Sequence, residues 1–175
     1  MKIKDITIIG MLSTILVGAQ VVLASLPNIE LVSLLIIVYT LVFKKRALYI
    51  ITVFIILEGF LYGISTWWFN YLYIWFLLYF ITLAFSKERS PLIWATISGI
   101  YGLSFGALCA IPYLFIGAAS SSSFIGGLHM AFAYWISGIP YDIPHGIGNF
   151  CAAFILVNPL RNLLGRLTKT ELQSI

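Results

Sequence analysis

The densest group of chemically capable side chains is Tyr141-Asp142-Ile143-Pro144-His145-Gly146-Ile147-Gly148-Asn149. Asp142 and His145 are three residues apart, and Asn149 follows His145 by four, so a helix would carry all three near one face. A neutral His145 could bond Asp142 through one ring nitrogen and present the other elsewhere. The set reads either as a polar network that fixes a helix in place or as a ligand-facing group. It has no serine or cysteine nucleophile at an obvious position and no third metal ligand. No catalytic residue and no metal site are therefore assigned. A membrane-embedded enzyme using Glu58, Asp142 and His145 is the alternative reading.

Glu58 is the other residue that needs a reason. It lies in a long apolar run, where a carboxylate is costly unless it faces the bundle interior, a partner or a polar cavity. It could be a hydrogen-bonded structural group, a substrate contact or a proton carrier. Glu30 opens another apolar run, where its charge suits a helix N-terminus, and Asn28 is the matching cap candidate. Both would touch ligand if a lumen opens on their side. Trp67, Trp68, Phe69, Tyr71, Tyr73 and Trp75 crowd one stretch with Asn70. They form either an aromatic belt at the headgroup level or a stacking wall at a pocket mouth. His129 falls near the same mouth and is a weaker contact candidate.

The elements that must hold these residues are membrane helices. Of 175 residues, 61% are hydrophobic and 9% charged, against about 25% charged in a soluble domain. Crossing the hydrocarbon takes about 20 helical residues. The apolar runs at residues 6–26, 30–43, 47–65, 68–85, 91–111 and 141–160 predict six spans in one all-α domain over 1–175. Pro27 and Asn28 suit the turn before the second, and Pro91 the first turn of the fifth. Pro112 disturbs the end of the fifth, and the Ser/Gly-rich stretch 117–127 reads as an outer loop. Residues 128–139 are too short to span alone; they extend a broken fifth helix or pack over the lumen mouth. The first run lacks a small-residue cleavage pattern and reads as a span.

With both termini cytoplasmic, all ten basic residues fall inside: Lys2, Lys4, Lys44, Lys45, Arg46, Lys87, Arg89, Arg161, Arg166 and Lys169. Counting 128–139 as a seventh crossing would move the basic tail outside. The net charge of +4 thus reflects membrane anchors and does not indicate a nucleic-acid partner. Cys109 and Cys151 read as buried small hydrophobes. Small residues recur at four-residue spacing in Gly10-xxx-Thr14-xxx-Gly18, Gly59-xxx-Gly63 and Gly102-xxx-Gly106-xxx-Ala110. Such spacing lets helices approach closely, within the bundle or, for the first, against a partner protein. No Gly-rich Lys-Ser/Thr nucleotide loop occurs, and no convincing internal repeat marks an alternating-access carrier. A binding subunit that draws energy from partners fits both absences.

The chain resembles the substrate-binding S component of energy-coupling-factor vitamin transporters. The likeness runs through Gly10-Met11-Leu12-Ser13-Thr14, Leu26-Pro27-Asn28-Ile29-Glu30, Glu58-Gly59-Phe60-Leu61-Tyr62-Gly63 and the segment from Trp67 to Trp75. Its most specific part is Tyr134-Trp135-Ile136-Ser137-Gly138-Ile139-Pro140-Tyr141-Asp142 with His145, Gly148, Asn149 and Phe150.

The resemblance implies a six-helix, multi-pass protein of a prokaryotic cell membrane that captures a vitamin from outside. It implies partnership with a transmembrane coupling subunit and two ATPase subunits that use ATP, and release of cargo by toppling in the membrane. Members often dock through small residues on helix one; here the positions are Gly10, Thr14 and Gly18, with the spacing kept and the alanines absent. The overall likeness is greatest to members assigned to cobalamin or its precursors; riboflavin and pantothenate are alternatives. No intrinsic cofactor is implied. The substrate-contact candidates are Asn28, Glu30, Glu58, Trp67, Trp68, Asn70, Tyr73, His129, Tyr134, Asp142, His145 and Asn149.

Overall fold

A computed structural model describes the backbone of residues 3–26 and 28–173 and side chains up to Thr168. Lys2, Pro27 and the side chain of Lys169 lie outside the described residues. Among the described residues eight helices follow in order: α1 (Ile3–Leu23), α2 (Val32–Phe43), α3 (Arg46–Tyr62), α4 (Thr66–Ala84), α5 (Pro91–Leu103), α6 (Phe105–Cys109), α7 (Ile111–Ser121) and α8 (Phe124–Gln173). Among the described residues there is no strand.

Burial follows the helical period. On α1, Ile9, Leu12, Ser13, Leu16 and Val17 face inward, while Gly10, Thr14 and Gly18 form the opposite, exposed stripe. α2 is buried nearly all round and packs against α8, α4, α3 and α1, so it is the central helix. Polar side chains tie the shell together. Ser13 Oγ donates to the Ile50 carbonyl at 3.0 Å, Trp68 Nε1 to Ile55 at 2.9 Å, and Tyr101 Oη to Ile74 at 2.9 Å.

α1, α4 and the 124–168 portion of α8 are long and apolar enough to cross a membrane. α5 and the 105–121 segment qualify together as a fourth candidate, bent by 44°. α2, with 12 residues, and α3, with 17, are shorter. α3 stops at Gly63, whose φ of +80° is left-handed backbone that glycine adopts without strain.

The expectation for 112–139 needs correction. Residues 117–127 are two helix ends joined at Ser122-Ser123, with Ser122 left-handed at φ 52°. Glycine here serves close packing. A Cβ on Gly117 would lie 2.7 Å from Met130 Cβ, and one on Gly127 would meet the α7 backbone. Residues 128–139 extend the last helix, not the fifth, and pack on α7. α8 therefore runs unbroken through Pro140, Pro144 and Pro159. Cys109 is buried as expected, but Cys151 is exposed on α8.

The described basic residues gather at one end of the bundle. Arg46 pairs with Asp5 at 3.0 Å, joining the start of α1 to the α2–α3 turn. Arg161 donates to the carbonyls of Glu88 at 2.8 Å and Ser86 at 3.4 Å, joining α8 to the α4–α5 connection.

Candidate functional site

At the end opposite the basic residues, two adjoining open clefts enter the bundle. The larger, about 510 Å³, is lined by Gln20, Ala24, Glu58, Tyr62, Trp67, Asn70, Tyr71, Phe105, Cys109 and Tyr134. The smaller, about 300 Å³, shares Gln20, Ala24, Tyr71 and Phe105 and adds Asn28, Glu30, Trp75 and His145 among others.

Glu58 sits four residues before the end of α3, so it is near the mouth and not at mid-span. Its side chain is fully buried. Gln20 Nε2 donates to Oε2 at 2.8 Å and lies 3.0 Å from Tyr71 Oη, whereas Oε1 has no partner. Glu58 thus contributes to the wall of the larger cleft with one carboxylate oxygen buried and unpartnered.

Glu30 and His145 form the second polar centre. Glu30 Oε2 accepts the Ser33 backbone N–H at 2.8 Å, which caps α2. Oε1 lies 3.2 Å from His145 Nε2; an ionised carboxylate only accepts, so the ring nitrogen donates. Asn28, expected as the cap, instead takes the left-handed turn position at φ 55°. Phe105 lies against the His145 ring with centroids 4.7 Å apart.

Aromatic side chains supply the apolar wall. Tyr71 meets Trp67 edge-on at 5.1 Å and Trp75 at 5.3 Å, and Tyr134 stacks on Tyr113 at 4.0 Å. Belt and pocket therefore divide along α4: Trp67, Tyr71 and Trp75 turn inward, while Phe69 is exposed.

Comparison with known protein families, curated proteins and solved structures returns no match to this chain.

The expected contacts thus separate into three groups. Asn28, Glu30, Glu58, Trp67, Asn70, Tyr134 and His145 line the clefts. Trp68, Tyr73, Asp142 and Asn149 do not appear in either wall. Trp68 seats on Gly59, where a Cβ would lie 2.6 Å from its Nε1. Tyr73 Oη lies 2.9 Å from Asn70 Oδ1 and 2.6 Å from the Leu108 carbonyl, holding Asn70 against α6. Asn149 is buried with neither amide atom partnered. His129 is exposed on α8, outside both clefts.

Asp142 has a role in the fold itself. Its Oδ1 accepts the Gly106 N–H at 2.9 Å, a proton that in continuous helix would go to Gly102. Ser104 Oγ bonds back to Ile100 at 2.8 Å, a pattern that bends helices. The interruption between α5 and α6 is thus made by Ser104 and stabilised by a carboxylate from α8. A Cβ on Gly102 would stand 2.9 Å from both Gly146 Cα and the His145 carbonyl, so α5 and α8 touch backbone to backbone at this point. Asp142, His145 and Glu58 each bond a different partner.

Among the cleft residues that sequence reasoning did not assign to substrate are Gln20 and Tyr71, whose side chains bond each other. Gln20 carried a signal: it is the only long polar side chain within residues 6–26. Tyr71 was hidden among its aromatic neighbours.

Proposed function

We propose that this chain is the vitamin-binding S component of an energy-coupling-factor uptake system. In this reading it has six spans, with α5 to α7 as a broken fifth and both termini in the cytoplasm of a prokaryotic cell. The observation that carries the proposal is the pair of joined clefts, with aromatic walls and the buried, unpartnered carboxylate oxygen of Glu58, at the end of the bundle away from the basic residues. A cleft facing the outside, above a basic end facing in, is the arrangement capture requires. Energy would come from a transmembrane coupling subunit and two ATPases.

Cobalamin or a corrinoid precursor is the substrate class favoured by the resemblance. Cleft volumes of about 510 and 300 Å³ also suit a smaller ring vitamin, such as riboflavin, or pantothenate. A corrinoid would fill both clefts and project from the mouth.

The test is protein purified from host membranes in mild detergent, assayed by native mass spectrometry and absorbance. The expected result is one retained vitamin, with a corrin or flavin spectrum if it is either of those. No retained ligand, and no binding across a vitamin panel, would remove the proposal.

The exposed α1 stripe gives a separate expectation. Cβ atoms at Gly10 and Gly18 would meet nothing within 4 Å, so a larger residue fits the isolated chain. Gly18→Leu should weaken co-purification of a coupling subunit by about tenfold or more, since close approach is lost, with vitamin affinity unchanged. Equal loss of both would assign the stripe to internal packing.

A further inference from the structure

Two amides, Gln20 and Asn70, stand in the wall of the larger cleft. A half-turn of an amide swaps its oxygen and nitrogen in place, so the donors and acceptors around it decide which end is which. Gln20 Nε2 donates to Glu58 Oε2 at 2.8 Å and to Tyr71 Oη at 3.0 Å, so both of its protons are taken up inside the protein. Gln20 Oε1 bonds no described group and, unlike Glu58 Oε1, is not sealed from solvent.

For Asn70 a count of protons decides. Tyr73 Oη lies 2.6 Å from the Leu108 carbonyl oxygen and 2.9 Å from one end of the Asn70 amide. A hydroxyl has one proton, and a backbone carbonyl can only accept it. The shorter contact takes that proton, and Oη becomes an acceptor towards Asn70. With Oδ1 at the 2.9 Å contact, two acceptors would face one another; a half-turn puts Nδ2 there, where it donates. The other end of the amide, now Oδ1, bonds no described group and is not sealed from solvent.

Both amides thus turn nitrogen inward and carbonyl oxygen to the cleft. Charge points the same way. Glu58 and Glu30 stand in the two joined walls, with no Lys or Arg among their described residues. We infer, resting on the reading that this cleft binds a vitamin, that its polar wall selects an NH2 group: an amino or carboxamide nitrogen that donates to Gln20 Oε1 and Asn70 Oδ1. Tyr73, outside the wall, is the positioning residue that sets this preference. A ring carbonyl or carboxylate in the same place meets only acceptors and is refused.

Ligand-free protein tests the orientation on its own, by nuclear magnetic resonance of isotope-labelled asparagine side chains in detergent. An Asn70 amide proton should exchange with water about tenfold more slowly than those of exposed Asn162, and Tyr73→Phe should abolish the difference. Calorimetry then compares two matched pairs. Thiamine is set against oxythiamine, in which a carbonyl replaces the ring amino group. Dicyanocobinamide is set against dicyanocobyrinic acid heptamethyl ester, whose side chains carry no N–H. In the pair that binds, the NH2 member should bind about 10- to 100-fold tighter, and folded Tyr73→Phe should bring the two within about threefold. Exchange as fast as that of Asn162, or equal binding within the pair, would overturn the inference. Binding of riboflavin or pantothenate with neither NH2 compound bound would overturn it and leave the vitamin reading standing. Binding of nothing would remove both.

Discussion

If the chain binds a vitamin as proposed, Glu58→Gln should lower that affinity by about 10- to 100-fold, the range for losing a hydrogen bond to a charged group, and leave the folded yield unchanged. Glutamine is nearly isosteric, so the packing of α3 survives. Its carbonyl still accepts from Gln20 Nε2, the bond that now measures 2.8 Å. What disappears is the charge and the second acceptor, Oε1, which has no protein partner. In the closed interior of a helix bundle such an oxygen would be a pure cost. In the proposed reading, a donor on the ligand would compensate it. Calorimetric titration of the copurifying vitamin, or of cobalamin and riboflavin in turn, measures the change. Glu58→Leu separates the remaining reading: a purely structural carboxyl would make glutamine silent in affinity and leucine costly in yield. A proton carrier would instead leave affinity intact with glutamine and impair uptake in the whole transporter.

Much of the bundle was legible because its signals are local. Apolar runs between polar turns place α1 and α4 to within a few residues, and the basic run Lys44-Lys45-Arg46 marks the α2–α3 turn. The 104–139 region was not legible, for two physical reasons. Glycine and serine were read as loop formers, yet Gly117 and Gly127 are there because backbone meets backbone. Pro112 suggests the end of a helix, yet it lies in the first turn of α7, and Pro140 and Pro144 sit inside α8. Their four-residue spacing makes the N–H that Pro144 lacks the one Pro140's carbonyl would have accepted, so two defects overlap on one face.

The site divides on similar lines. Glu58, Glu30 and His145 announced themselves as ionisable groups in apolar surroundings, and all three reach a cleft. The helical spacing of Asp142, His145 and Asn149 was correct as geometry. It could not reveal that His145 turns to Glu30, 115 residues away in sequence, while Asp142 turns to a backbone amide on α6. Long-range partners decide which member of a shared face reaches a cleft.

Asp142→Ala should therefore do the opposite of Glu58→Gln. Removing the carboxylate strands the Gly106 N–H, which has no helical acceptor because the chain is already bent at Ser104. The loss is about 1.5 to 3 kcal/mol, the range for a hydrogen bond to a charged acceptor whose donor stays buried. It falls on the joint where α5 and α8 are in backbone contact at Gly102 and Gly146, so that contact loosens with it. Asp142→Asn keeps an acceptor oxygen and should recover most of the stability. Heating detergent-solubilised protein and following the monomer peak by size exclusion gives the ordering: wild type, then asparagine, then alanine. Vitamin affinity of the surviving folded alanine variant should stay within about threefold, below 1 kcal/mol, since Asp142 is in neither cleft wall. A large drop in affinity at unchanged thermal midpoint would make Asp142 a ligand contact, and the bend at Ser104 would then need another support.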